Sequence, residues 1–225
     1  MKSKRLGVAT GVLLMLAGCA QNQPRPVTAE IGSPKTRISC DVDVQPEDRV
    51  ELEMVDTLMS RDLVYAALAQ LQKHQQRNEE YWQRYGQLLA KTDDMDGARD
   101  VFTQMRDQCN SGEAYHGLGM IALKQGYLSE ALTNFKEAVS RLPASASVRN
   151  DYGYALLLEG DFPEAQRNLR TSLELQNGSG AARQNLAVAY ILAGNKQGLA
   201  LLRDKYHFTD DEMAYAHSLA DQMRK

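Results

Sequence analysis

Gly126, Gly160 and Gly194 stand thirty-four residues apart, and so do Gly119, Gly153 and Ala187. Leu118, Tyr152 and Leu186 precede the second set in register, while Ala131 with Ala165 and Phe135 with Leu169 share further offsets. A shift of thirty-three residues brings Trp82, Tyr85, Gly86, Leu89, Ala98 and Phe102 onto Tyr115, Leu118, Gly119, Ala122, Ala131 and Phe135. A period of this length is one supersecondary unit copied along the chain. No copy can bury its apolar face alone, so the copies must stack on one another. Within each copy apolar residues recur at helical spacing, and the glycines fall between two such runs. The expectation is all-α, built from antiparallel helix pairs.

The best copy holds Tyr115, Leu118-Gly119, Ala131, Phe135, Ala138 and Pro143. This resembles the tetratricopeptide repeat, which implies a right-handed superhelical solenoid. Gly119 and Ala131 are small where two helices cross closely, and Tyr115, Leu118 and Phe135 fill the space between helices. Gly126, Gly160 and Gly194 sit where the first helix of a pair ends, where a left-handed residue costs least as glycine. Asp93 holds that place in the earliest clear copy, and Asp tolerates the conformation better than most residues.

The copies run over about 79–111, 112–145, 146–179 and 180–208. Pro143 is replaced by Asn110 and Asn177 in its neighbours. In the last copy Leu199 stands where the small alanine belongs and Arg203 where the aromatic belongs, so its second helix is degenerate. Residues 47–76 form a weaker pair, with Ala66 and Ala67 near the small position. Residues 210–224 read as a closing helix: Thr209 and Glu212 make a capping box, and Met213, Ala216, Leu219, Ala220 and Met223 share one apolar face. A solenoid needs such a cap for solubility.

The amino-terminal end carries a different signal. Lys2, Lys4 and Arg5 precede an uncharged, mostly apolar run from Leu6 to Leu16, closed by Ala17-Gly18-Cys19. The run is too short to cross a bilayer as a helix and reads as a secretory signal over residues 1–18. Its end resembles a bacterial lipobox. The resemblance implies lipidation at Cys19, and Ala20 in place of Asp implies sorting to the outer membrane, periplasmic face. Residues 19–45, with Pro24, Pro26 and Pro34 among polar residues, read as a flexible tether. Within it Ile38, Cys40, Val42 and Val44 are the one ordered-looking patch.

Beyond Cys19 the cysteines are Cys40 and Cys109. An oxidising compartment favours a disulfide between them; two unpaired, partly buried thiols are the alternative. Neither has a ligand neighbour at metal spacing.

Chemistry is hard to find in the sequence. His74, His116, His207 and His217 are scattered, with no HExxH, no CxxC pair, no phosphate loop and no GxSxG elbow. Asp93-Asp94 and Asp210-Asp211 suit turns and helix starts. The expectation is no catalysis, no cofactor, no metal and no small-molecule substrate. The chain has 26 basic and 29 acidic residues, and loss of the signal leaves 23 basic ones. That balance argues against nucleic acid, whose binding needs clustered cations.

What remains is a surface for protein. In tetratricopeptide arrays fixed offsets of each first helix face a concave groove. On those offsets stand Gln83 and Gln87, then His116, Met120 and Leu123, then Asn150, Tyr154 and Leu157, then Gln184, Val188 and Ile191. The stripe turns from polar to apolar toward its carboxyl end and suits an amphipathic or extended partner segment. For Leu157, Val188 and Ile191, packing on neighbouring helices or on the cap is the competing expectation.

Residues 183–190, Arg183-Gln184-Asn185-Leu186-Ala187-Val188-Ala189-Tyr190, with Leu192-Ala193-Gly194, resemble the last repeat of the TadD-type lipoproteins of Flp/Tad pilus assembly. The resemblance implies a pilotin-like periplasmic accessory whose partner is a secretin or another pilus-assembly component. A type IV pilus pilotin, and an envelope adaptor for a peptidoglycan hydrolase or protease, are the alternatives.

Overall fold

The computed structural model describes residues 38–75 and 77–224. The signal, Cys19 and most of the tether lie outside the described residues. Eleven helices form among them: α1 (Pro46–Ser60), α2 (Val64–Leu71), α3 (Glu79–Lys91), α4 (Met95–Cys109), α5 (Gly112–Lys124), α6 (Leu128–Arg141), α7 (Ala146–Glu159), α8 (Phe162–Leu175), α9 (Ala181–Leu192), α10 (Lys196–Tyr206) and α11 (Asp210–Met223). Consecutive helices pair, each pair stacks on the next, and a solenoid results.

Local chemistry marks the helix starts and stops. Asn78, Asp94, Ser111, Ser145, Asp161, Asn195 and Thr209 each accept a backbone N–H from the third helical residue that follows, occupying donors the helix itself leaves free. The first helix of every pair stops at a left-handed residue: Asp62, Asp93, Gly126, Gly160 and Gly194. Asp62 gives the weak N-terminal pair the same stop as its clearer neighbours.

The repeated small residues are set by contact. A Cβ on Gly86 would lie 2.7 Å from Phe102, one on Gly119 2.7 Å from Phe135, and one on Gly153 2.5 Å from Leu169. In the last pair the roles reverse. Gly198 on α10 receives Tyr190 from α9, with a built Cβ 2.6 Å from the ring. Leu199 therefore does not take the small position; the close crossing is made one residue earlier. Tyr190 is fully buried there, and its hydroxyl accepts from Arg170 at 3.0 Å.

Residues 38–43 do not behave as tether. Ile38 is buried, and its N–H donates to Gln108 Oε1 at 3.2 Å. Cys40 and Cys109 are disulfide-bonded, with Cα atoms 5.3 Å apart. The Asp41 carbonyl accepts the Glu79 N–H at 3.1 Å, one of the donors free at the start of α3. The described part of the expected tether, residues 38–45, thus belongs to the folded body, because a bridge, a buried side chain and a helix-end hydrogen bond all hold this strap.

The closing helix also departs from a simple end cap. α11 lies along α9, start beside start and end beside end: Gln184 Nε2 donates to the Glu212 carbonyl at 3.3 Å, and Arg224 donates to the Ile191 carbonyl at 3.4 Å. Met213, Ala216 and Ala220 join the core formed by α7, α9 and α10. Between α10 and α11 a crevice of about 410 Å³ stays open, lined in part by Leu199, Ala200, Met213 and His217.

Candidate protein-binding wall

The first helices of successive pairs are tied by side-chain bonds that run the length of the array. Arg84 on α3 donates to Asp56 on α1 at 2.7 and 2.8 Å. Gln83 donates to Glu113 on α5 at 2.9 Å. His116 meets Asp151 on α7 at 2.8 Å, and Asn185 on α9 donates to Asn150 on α7 at 2.9 Å. Asn150 in turn donates to Asp151 at 3.0 Å. Gln184 completes the series onto α11. His116, Asn150 and Gln184 therefore lie on the wall and are half-buried, serving as struts between helices as well as surface.

The carboxyl end of the wall is closed. Leu157, Val188 and Ile191 are 3%, 2% and 7% exposed. All three sit in one buried cluster with Met213, Ala216 and Ala220 of α11. These residues are core and not groove. The reason is the short, degenerate last pair: α11 settles on the inner offsets of α9, burying apolar area that would otherwise face water. The expectation of an apolar groove at this end is overturned.

The open apolar surface lies toward the other end. Met120 is 42% and Tyr154 39% exposed. At the amino-terminal end of the array Val50 and Met54 of α1 are exposed, while Asp56, thirty-one residues before Gln87, faces α3 through Arg84. A cavity of about 480 Å³ opens between the first helices, lined by Met59, Met95, Phe102, Met120 and Ile121, with Lys91 and Lys124 at one rim. Met59 escapes sequence reasoning because the N-terminal pair is weak and its register is hard to extend, and Met95 because it opens a second helix, α4. The helical stop at Asp62, thirty-one residues before Asp93, is the signal that recovers the register of that pair.

Acidic groups gather at the opposite rim. Glu79 and Glu80 open α3, and Glu113 opens α5. Burial holds the Glu113 carboxyl above the usual carboxylate range; His116 and Arg84 oppose that shift, while Glu79 and Glu80 reinforce it. Arg84 is shared between Asp56 and Glu80. Ser111 donates to Glu79. Arg84 thus pairs with two carboxylates and lies near a third, Glu113.

Elsewhere His74, buried, points Nδ1 at Glu51 (3.0 Å) and Asp48 (3.7 Å), which ties the first turns of α1 to the end of α2. His207 ends α10 in a left-handed conformation, and His217 lines the α10–α11 crevice. Among the described residues no helix is long and apolar enough to cross a membrane.

The family model for the tetratricopeptide repeat matches residues 116–165, from within α5 into α8. The fold of the described residues is a tetratricopeptide-type solenoid. A TPR repeat-containing protein of Pseudomonas aeruginosa, PA4299, is 27% identical over 210 residues, covering 92% of this chain and 80% of that one. Human tetratricopeptide repeat protein 36 is 37% identical over 95 residues, and the chain spans only 49% of its length. Among solved structures, the thermophilic TPR protein TTC0263 of Thermus thermophilus superposes with a TM-score of 0.59 at 17% identity, covering 78% of this chain and 98% of that one. YrrB, described as a TPR protein with an unusual peptide-binding site, gives 0.52 at 20% identity, with 76% and 90% covered. At these identities the likeness is one of fold. Tetratricopeptide arrays in general serve protein–protein interaction.

Proposed function

We propose that the protein is a non-enzymatic scaffold, anchored through Cys19 to the periplasmic face of the outer membrane. It acts as a pilotin-like accessory of Flp/Tad pilus assembly and holds a secretin or another pilus-assembly component. The observation that carries the binding role is the open wall from α1 to α7, where Met120 and Tyr154 stay exposed beside half-buried amides. Large apolar side chains in a row on a concave face cost solvation unless a partner covers them. The pilus assignment is supported by the resemblance of residues 183–194 to the TadD-type repeat. The membrane address is supported by the lipobox resemblance around Cys19.

A photo-cross-linking residue in place of Met120, in the full-length chain in its own envelope, tests the reading. The expected product is a covalent adduct with a secretin or pilus component. An adduct with a peptidoglycan hydrolase or protease would replace the pilus role by an adaptor role. Cys19→Ser should move the protein from the membrane fraction to the soluble periplasm; retention on the membrane would remove the lipid anchor from the proposal.

A further inference from the structure

The wall is uneven in charge as well as in polarity, and the unevenness selects a partner. α1 carries Glu47, Asp48, Glu51, Glu53 and Asp56 against Arg49 alone. Beside it Glu79, Glu80 and Glu113 crowd the start of α3 and α5 with Arg84 as the nearby guanidinium. Lys91 and Lys124 at the far rim are already matched by Asp62 and Asp93. Exposed apolar side chains therefore lie next to an excess of negative charge, in which Asp56 and Glu80 share the one guanidinium of Arg84.

Resting on the scaffold reading above, we propose that the stretch of wall from Met59 to Met120 takes a cationic amphipathic segment of its partner protein. Apolar residues of that segment enter the cavity between Met59 and Met120, and a lysine or arginine meets Glu79, Glu80 and Glu113. Seven residues of helix separate Glu113 from Met120, about 10 Å at a rise of 1.5 Å per residue. The partner's cation and apolar anchor are spaced to match, about two helical turns or three extended residues apart. Thioether side chains adapt to varied apolar shapes, so charge does more than shape to choose the segment. A cation also offsets the crowding of like charge that the unliganded wall tolerates at Glu113.

Two labelled synthetic peptides of about fourteen residues test this, both with leucines at helical spacing, one with lysine and one with glutamate at the polar positions. Binding is read by fluorescence anisotropy on the soluble Cys19→Ser protein. The lysine peptide should bind at least about tenfold more tightly than the glutamate peptide. Glu113→Gln with Glu79→Gln should remove most of that difference. Met120→Ser should weaken the lysine peptide without restoring the glutamate one. The control Asp210→Asn with Asp211→Asn, at the distant start of α11, should change nothing. Equal binding of the two peptides, or equal loss in the control, would overturn the charge selection. If neither peptide binds while the residue-120 cross-link still captures an envelope protein, charge selection fails and the scaffold reading stands. Failure of both removes the wall as a binding surface.

Discussion

Arg183 on α9 and Glu212 on α11 meet through two hydrogen bonds of 2.7 and 3.0 Å, and the same guanidinium donates to the carbonyls of Gly178, Tyr206 and His207. One side chain thus fixes the end of α8, the end of α10 and the start of α11. Glu212 also accepts the Thr209 N–H, closing the capping box. Arg183→Gln should destabilise the fold by about 2–3 kcal/mol, since several charge-assisted bonds go at once. A loss of that size lowers Tm by roughly 5–10 °C for an array of this length.

The same pair predicts an acid dependence. The Arg183 hydrogen bond holds Glu212 down to about 2, from an ordinary 4.5. A carboxyl depressed on folding contributes stability above its unfolded value and loses it as pH falls through the folded one. Wild type should therefore lose stability between about pH 4.5 and 2 more steeply than Arg183→Gln. Parallel acid curves from thermal melts would show that the pair does not set this slope.

Two glycines of the same repeat should fail for different reasons. Gly119→Ala pushes a methyl into Phe135 in the core, at an overpacking cost of about 1–3 kcal/mol. Gly126→Ala meets nothing within 4 Å but must hold φ near 82°, at a cost of about 1 kcal/mol. Replacing Phe135 by Leu alongside should rescue the first variant and leave the second unchanged. Urea titration of the four proteins reads this directly.

These glycines also show how far the sequence could be read. Their period announces the helix pairs, and steric contact with Phe102, Phe135 and Leu169 is the cause of that period. Of the residues on the inner offsets, Met120 and Tyr154 are exposed and His116, Asn150 and Gln184 are half-buried. Leu157, Val188 and Ile191 are core instead, because periodicity says which face a residue takes and not what later covers that face. Where α11 settles depends on Arg183 reaching Glu212 across twenty-nine residues, a relation no local pattern reports. Met59 was hidden for the opposite reason: its pair lacks the glycines that mark the others.

Glu113→Gln should leave the protein at least as stable at pH 7 as wild type, although it removes a charge from the proposed site. Burial raises this carboxyl, so its contribution to stability is full at low pH and is lost as pH rises through its folded value. The amide still offers an oxygen to Gln83. Melting temperatures at pH 4 and pH 7 check the sign: the variant's advantage should shrink at the lower pH. A variant less stable than wild type at pH 7 would mean that the charge supports the fold.

Reduction of the Cys40–Cys109 bridge opens a loop with a sequence separation of 69 residues. The loss should approach roughly 4 kcal/mol by loop entropy, less any strain relieved. Cleavage by protease should appear first within residues 38–45, since Ile38 and the Asp41 carbonyl alone would then hold the strap. Resistance of that stretch under reducing conditions would show that the bridge is not what secures it.

The bridge also decides how the protein carries a pull. The covalent bond from residue 40 to residue 109 encloses α1 to α4 in a ring. Tension arriving along the chain from its amino-terminal side passes across the sulfurs to the end of α4 and goes straight on into α5. The two leading helix pairs, with Val50, Met54 and Met59 on them, are shunted out of the path of force. A pull on the chain ahead of residue 40 therefore cannot peel α1 and α2 away one after the other while the bridge is intact.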